Sequence, residues 1–299
     1  MWSTSASAQN RLVKGYPFCA GTLSRNAGSD SCVPYGFVME KILLQVENLT
    51  LAFREKVILN NVSFSLKKGD WMTIIGHNGS GKTSLIKSIL NLYDGWSGRL
   101  LLKGRPHTEL STRARAQIMS YVPQNPPENL HMQVKDFLIL SRYPYRKNFS
   151  YSQDDIQTVD ELIDRLKLTA LAERSFLSLS GGEKQKVLIA AALVQSAQII
   201  LLDEPTASLD PSFTVDIMNT LKNVAQDYNL TILEVSHDLN SAARFADKIL
   251  ALKNGRVAFD IDAEHLINPA VLNQIYDHNF SIISDSGHRI ALPDYGERK

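Results

Sequence analysis

The chain has only two cysteines, Cys19 and Cys32, and both precede residue 39. The rest can form neither a disulfide nor a thiol metal site, as expected of a reducing cytoplasm. Sequons such as Asn148-Phe149-Ser150 then carry no meaning, because glycosylation needs secretion. Long apolar runs are also missing. The longest, Val187 to Val194, has eight residues, against the roughly 20 needed to span a bilayer as a helix, so any membrane role must come through a partner. Charge excess is absent too: Lys+Arg 32 against Asp+Glu 31 leaves a net +1. That balance gives no electrostatic footprint for nucleic acid. There is no internal repeat and no sustained heptad.

At 299 residues, 44% of them hydrophobic, the chain can bury a full core, in one or two units. Residues 1–38 are rich in Ser, Gly and Ala, without apolar periodicity or a signal-peptide core. Met39-Glu40-Lys41-Ile42-Leu43-Leu44 reads as a natural start that runs into a strand. The expectation is that 1–38 are a disordered extension or a mis-assigned start, a genuine short extension being the alternative. A body from 39 to 280 and a tail from 281 to 299 follow.

Within the body, 42 to 66 alternates apolar and polar, most clearly in Val62-Ser63-Phe64-Ser65-Leu66, which predicts half-buried antiparallel strands. Trp71–Ile75, Ile118–Val122, Ile199–Leu202 and Ile232–Val235 are short, mostly apolar runs suited to a mainly parallel sheet covered on both faces. They lead into Gly76, Pro123-Gln124, Asp203-Glu204 and Ser236-His237. Ligands bind at the carboxyl ends of such strands, so four strands deliver polar groups to one crest. From about 125 to 178 the pattern turns helical, with Val134, Phe137, Leu138 and then Val159, Leu162, Ile163, Leu166 at spacings of three and four. This predicts an inserted helical subdomain. Asn254-Gly255, between two apolar runs, predicts a hairpin.

Two glycine-rich motifs carry the chemistry. Gly76-His77-Asn78-Gly79-Ser80-Gly81-Lys82-Thr83, followed by Ser84, matches the P-loop pattern G-x-x-x-x-G-K-[ST]. Gly79 and Gly81 permit backbone angles that turn several N–H groups inward around an anion, and the helix starting near Lys82 adds its dipole. Lys82 is placed to reach the β- and γ-phosphates of a nucleoside triphosphate, and Thr83 to put its hydroxyl on Mg²⁺. Ile199 to Glu204 is an apolar strand ending in two acids. Asp203 is placed to hold Mg²⁺, and Glu204 to orient and deprotonate a water; a solvated loop start is the plainer alternative. Leu179-Ser180-Gly181-Gly182-Glu183 is a second Gly-rich turn. It is also a capping box, and a capped helix start behind glycines is itself an anion site.

A P-loop together with Leu-Ser-Gly-Gly resembles the ATP-binding cassette (ABC) proteins, over about residues 40 to 280. The resemblance implies the α/β P-loop NTPase fold of ABC ATPases: a mainly parallel core sheet with helices, an N-terminal antiparallel β subdomain and the inserted α-helical subdomain. It implies ATP hydrolysis with ATP and Mg²⁺ as cofactors. Ser180, Gly181 and Gly182 would contact the γ-phosphate held by a second copy of the chain. His237 matches the family's switch histidine, and Gln124 the glutamine that senses Mg²⁺ and the membrane partner. Ser208-Leu209-Asp210 matches the turn that crosses the dimer interface. Phe53 stands where the family places an aromatic that stacks on adenine, or else is a strand-edge core aromatic.

Leu140-Ser141-Arg142-Tyr143-Pro144-Tyr145, and His237-Asp238-Leu239-Asn240 with Ala243-Arg244-Phe245-Ala246-Asp247, resemble the ATPases of siderophore, haem and cobalamin importers. That family usually has Gly where Ser141 stands and Arg where Lys186 stands. The partners implied are a second copy, a transmembrane permease and, indirectly, an extracytoplasmic binding protein, with no nucleic acid. The place implied is the cytoplasmic face of the inner membrane, peripherally. Cassettes for molybdate, zinc or manganese and exporter ATPases are the alternatives. A DNA-repair cassette would separate its motifs by a long coiled coil, which is absent here. A degenerate module would lack Glu204 or His237.

Overall fold

The computed structural model describes residues 41–146, 150–207, 209–285 and 287–294. The expectations for 1–38 and for Ser208 lie outside them.

The alternation after residue 42 becomes two long strands, β1 (Ile42–Phe53) and β2 (Lys56–Lys67), paired antiparallel with Val46 opposite Phe64 and Leu49 opposite Val62. Val62, Phe64 and Leu66 are buried while Ser63 is exposed, as a sheet with one wet face requires. β3 (Trp71–Ile75), buried throughout, runs into the P-loop and α1 (Lys82–Ile89). β4 (Ser97–Leu102) and β5 (Arg105–Pro106) complete a sheet of order β2-β1-β4-β5. Next come α2 (Thr112–Ile118), capped by the Ser111 side chain, and β6 (Met119–Val122). Ile118 takes the last helical position of α2, so β6 begins one residue later than the sequence predicts, while the Ile118 carbonyl already accepts from the Gln198 N–H at 3.0 Å beside β7.

The insert supplies α3 (Val134–Leu140) and α4 (Gln153–Arg165), then α5 (Gly181–Val194). The eight-residue apolar run is the buried body of α5; a helix apolar all round is a core helix when it is this short. Among the described residues no helix is long and apolar enough to cross a membrane. β7 (Ile199–Asp203), α6 (Pro211–Tyr228), β8 (Thr231–Val235), α7 (Leu239–Phe245), β9 (Lys248–Lys253) and β10 (Arg256–Asp262) complete the central sheet, of order β10-β9-β3-β8-β7-β6. All its pairings are parallel except β9 with β10, which turn at Asn254-Gly255 with φ 50° and 74°.

Side chains of β7 alternate between two cores. Ile200 and Leu202 join the helices of the insert, while Ile199 and Leu201 join the β1–β2 side. After α8 (Pro269–Tyr276) the chain makes a hairpin, β11 (Phe280–Asp285) and β12 (His288–Pro293), where the sequence reading sets a tail. Neither segment alternates strictly, Ile282-Ile283 and Ile290-Ala291-Leu292 being consecutive apolar residues, so period two does not register. The hairpin is docked by Asn240, whose side chain accepts from the Ala291 N–H at 2.9 Å and donates to its carbonyl at 3.2 Å.

Two polar groups inside this core have a cost to explain. Arg142 is buried and paired: Nε donates to Asp155 at 2.8 Å, and Nη1 to the Val194 carbonyl at 2.9 Å and to Ser196 Oγ at 2.8 Å. The ion pair and bonds offset the desolvation of a cation. The Tyr145 hydroxyl donates to the Ser196 carbonyl at 3.0 Å, so one segment rivets the insert to the root of β7. Glu234 on β8 is the other. Its carboxylate accepts from Trp71 Nε1 at 2.8 Å and Thr73 Oγ1 at 3.3 Å.

Burial pushes the Glu234 carboxyl up to about 7, against the pull of the two donors and with Asp238 adding to the rise. A carboxyl raised in the fold above its unfolded value favours the neutral form. Stability attributable to it is therefore full below the unfolded value and falls as pH rises towards 7. Glu234→Gln keeps an oxygen for both donors. It is expected to melt like the wild type at pH 4.5 and to gain about 2 kcal/mol, roughly 4–8 °C, at pH 8. A lower melting temperature at both pH values would mean that the ionised carboxylate is needed.

Candidate functional site

The sheet order sets β3, β8, β7 and β6 side by side, so their carboxyl ends open on one crest. β3 delivers the P-loop. Gly76, Gly79 and Gly81 have φ of 145°, 78° and 103°. At Gly76 a side chain is excluded twice: the φ is left-handed, and a Cβ would fall 2.2 Å from the Leu252 carbonyl oxygen of β9. The loop's outer wall is thus the β9–β10 hairpin, where the Gly255 N–H also donates to the Ser80 carbonyl at 3.2 Å. Inside it, the Lys82 ammonium donates to the carbonyls of Gly76 at 2.8 Å and His77 at 3.1 Å. His77 Nδ1 lies 2.9 Å from the Asn78 carbonyl. Gly81 caps α1 without a side-chain bond, leaving the first-turn N–H groups of Thr83 and Ser84 to an incoming acceptor.

Two strands over, β7 faces this loop with two acids, Asp203 at its end and Glu204 just beyond. Thr83 Oγ1 donates to Asp203 Oδ1 at 3.2 Å, and the Tyr121 hydroxyl to Asp203 Oδ2 at 3.3 Å. Burial raises the Asp203 carboxyl, opposed by the Thr83 bond and supported by the charge of Glu204. Burial likewise lowers Lys82, opposed by the charges of Glu204 and Asp203. A hydroxyl and a carboxylate are hard oxygen donors, and Mg²⁺ is held in just this way, by one or two protein oxygens plus phosphates. Thr83 and Asp203 therefore fit it.

Glu204 is held at φ 51° with its N–H donating to the Val235 carbonyl at 3.0 Å. A non-glycine residue in this left-handed region costs roughly 1–3 kcal/mol and persists only where its surroundings over-determine it. Here they do. Gln124, at the end of β6, donates its amide to Glu204 Oε2 at 2.7 Å. His237, beyond the end of β8, brings Nε2 to 2.5 Å from Glu204 Oε1. Gln124 thus turns to Glu204, not to the Thr83–Asp203 pair. Taken together, the crest offers a cation, a row of N–H groups, a hydroxyl–carboxylate pair and a second carboxylate gripped from both sides. Such a set can hold a phosphate chain and take a proton from water.

The Leu-Ser-Gly-Gly turn stands elsewhere. Ser180 caps α5, its N–H donating to Glu183 Oε2 at 2.8 Å and its Oγ accepting from the Glu183 N–H at 3.4 Å. Bonds from the Ser180 backbone and side chain hold the Glu183 carboxyl low, and Arg174 lies 3.4 Å away. Among the described residues no hydrogen bond or ion pair joins this turn to the chain's own P-loop. Asp210 caps α6, its Oδ1 accepting from the N–H groups of Ser212 and Phe213, both at 3.0 Å. Phe53 is 45% exposed at the end of β1, edge-on to Tyr93 at 5.1 Å; it is not a core aromatic. Tyr121 is the site residue that sequence reasoning missed. Its only signal was its place one residue before the end of β6.

Comparison with known proteins follows the same lines. Residues 59–207 match the ABC transporter family model. An ABC transporter ATP-binding protein of Methanocaldococcus jannaschii is 35% identical over 85% of this chain and 99% of its own length. The iron(3+)-hydroxamate import ATP-binding protein of Bacillus subtilis is 32% identical over 81% and 90%. A nucleotide-free ATP-binding cassette from an ABC transporter superposes with TM-score 0.69 at 26% identity, over 78% of this chain and 98% of that one. A bacterial ABC transporter cassette solved as a dimer gives 0.66 at 28%, over 74% and 99%. With the P-loop, the paired acids and the capped glycine turn in place on this fold, the chain belongs to the ABC transporter ATP-binding proteins, the nucleotide-binding ATPases of those transporters.

Proposed function

We propose that the chain powers uptake of an iron–siderophore chelate through a separate permease, as one of two identical ATPase subunits. The carrying observation is Glu204, fixed between Gln124 and His237 across the crest from the P-loop. That grip fixes the carboxylate on the crest, near enough to the P-loop for its charge to act on Lys82. Lys82 and the N–H groups at the start of α1 bind the phosphates. Phe53 offers its exposed ring face to adenine. Thr83 and Asp203 hold Mg²⁺, which when bound neutralises charge on the phosphate oxygens. Glu204 takes the proton of the attacking water, and His237 steadies both Glu204 and the terminal phosphate.

The partner subunit's Leu-Ser-Gly-Gly turn closes the site from outside, which accounts for that turn standing free of the chain's own P-loop. Asp210, beside it at the head of α6, lies along the same seam. Gln124 and the insert, at the cytoplasmic face of the membrane, receive the permease. The siderophore reading rests on the Leu140–Tyr145 and His237–Asp247 stretches and on the hydroxamate-import relative.

Deleting the gene from its host is expected to abolish uptake of labelled iron–hydroxamate. The wild-type gene should restore it and Glu204→Gln should not. Unchanged iron–hydroxamate uptake in the deletion, with loss of haem, cobalamin, molybdate or zinc uptake, would overturn the cargo.

A further inference from the structure

Gly182 has no conformational need to be glycine. It sits in the first turn of α5 with ordinary helical angles, outside the left-handed set, and glycine in a helix costs roughly 0.5–1 kcal/mol relative to alanine. What requires it is a neighbour. A Cβ at Gly182 would fall 2.9, 3.1 and 3.3 Å from Cδ1, Cε1 and Cγ of Phe213, so that side of the ring occupies the space a side chain at Gly182 would need. Gly181, beside it, has nothing within 4 Å of its Cβ position and stays open.

Phe213 is itself fixed from the other side. Its N–H donates to Asp210 Oδ1 at 3.0 Å. Asp210 follows directly on the turn that begins at Glu204, where the Ala207 N–H donates to the Glu204 carbonyl and the Leu209 N–H to the Thr206 carbonyl, both at 3.2 Å. The residue is 38% exposed, a poor use of a phenylalanine if burial were its whole purpose. With Leu166, Ile189 and Ile217 it lines a crevice of only about 40 Å³ between α5 and α6.

We infer that Phe213 is a positioning residue for ATP hydrolysis. It clamps the Leu-Ser-Gly-Gly turn to the Asp210 end of α6, so that the two elements meeting the partner copy are presented as one rigid face. The inference rests on the proposed reading of that turn as the closing half of the partner's site. α5 starts at the edge of the helical insert, whereas α6 belongs to the central sheet's own helices. The bodies of the two helices share one core through Val187, Ile189, Ile217 and Met218. Without the ring it is their first turns that can shift, and a misplacement of about 1 Å can cost catalysis up to two orders of magnitude.

The test compares Phe213→Ala, Phe213→Leu and Gly181→Asp in the full chain. Phe213→Ala is expected to lower kcat about tenfold and to weaken ATP-dependent dimerisation about tenfold in a Glu204→Gln background. Its affinity for a fluorescent ATP analogue should stay within twofold, because the P-loop is untouched. Phe213→Leu, which still covers Gly182, should recover at least half the rate. Gly181→Asp, placed in open space, should block hydrolysis by putting a carboxylate where the terminal phosphate is bound. If Gly181→Asp blocks hydrolysis while Phe213→Ala keeps wild-type kcat and dimer affinity, the clamp is wrong and the reading of the turn stands. If Gly181→Asp hydrolyses normally, that reading fails. Analogue affinity falling in step with kcat in both Phe213 variants would mean general loosening and overturn the positioning role.

Discussion

Glu204→Gln is expected to bind ATP normally and to hydrolyse it about a thousandfold more slowly, within the roughly 10²–10⁴ attributed to a well-placed general base. The substitution is close to isosteric, and the site is built to hold that shape. Gln124 reaches one oxygen at 2.7 Å and His237 the other at 2.5 Å, and a glutamine side chain can still meet both, through its oxygen and its NH₂ group. What it cannot do is accept the proton. With hydrolysis stalled and binding intact, the closed pair accumulates, so size-exclusion chromatography with ATP should show a stable dimer that the wild type forms only transiently. Turnover close to wild type would assign the proton to another group, His237 first, because of the two side chains bonded to the carboxylate only its imidazole can act as a base.

Lys82→Ala is expected to raise the Kd for a fluorescent ATP analogue at least a hundredfold, about 3 kcal/mol. The ammonium is the one cation inside the loop, and burial already holds it below its ordinary value, so it gains when phosphate arrives. Its present partners are the neutral carbonyls of Gly76 and His77, which a polyphosphate outcompetes. Truncation removes a poorly solvated charge as well as two bonds, so the melting temperature should move by no more than a few degrees. Unchanged analogue affinity would show that the N–H groups of the loop hold the phosphates unaided.

Most of the crest was legible in the sequence because each of its pieces is local. An apolar run followed by Gly76, Gln124, Asp203 or His237 announces a buried strand and what stands at its end. The left-handed angles of Gly79 and Gly81 and the capping box of Ser180 and Glu183 need only near neighbours. The hairpin at Asn254-Gly255 is read the same way. What escaped depends on pairings across long separations. Nothing in the chain's order says that Gln124 meets Glu204, that Tyr121 donates to Asp203, or that Phe213 covers Gly182. Asn240 holding Ala291 is of the same kind, and with it the hairpin at 280–293. Ile118 stands on the boundary for a related reason: it ends α2, yet its carbonyl accepts from the Gln198 N–H, a partner 80 positions away that no local pattern announces.

The rivet made by Arg142 and Tyr145 links the helical insert to the strand that carries the acids. One hydrogen bond from the guanidinium holds the last residue of α5, Val194, while another from it and one from the phenol grip Ser196 in the short linker to β7. Those bonds tie the segment after α3 to the root of β7, and the opposite end of that strand carries Asp203 with Glu204 directly beyond it. The anchor of the insert and the two acids thus stand at the two ends of one five-residue strand.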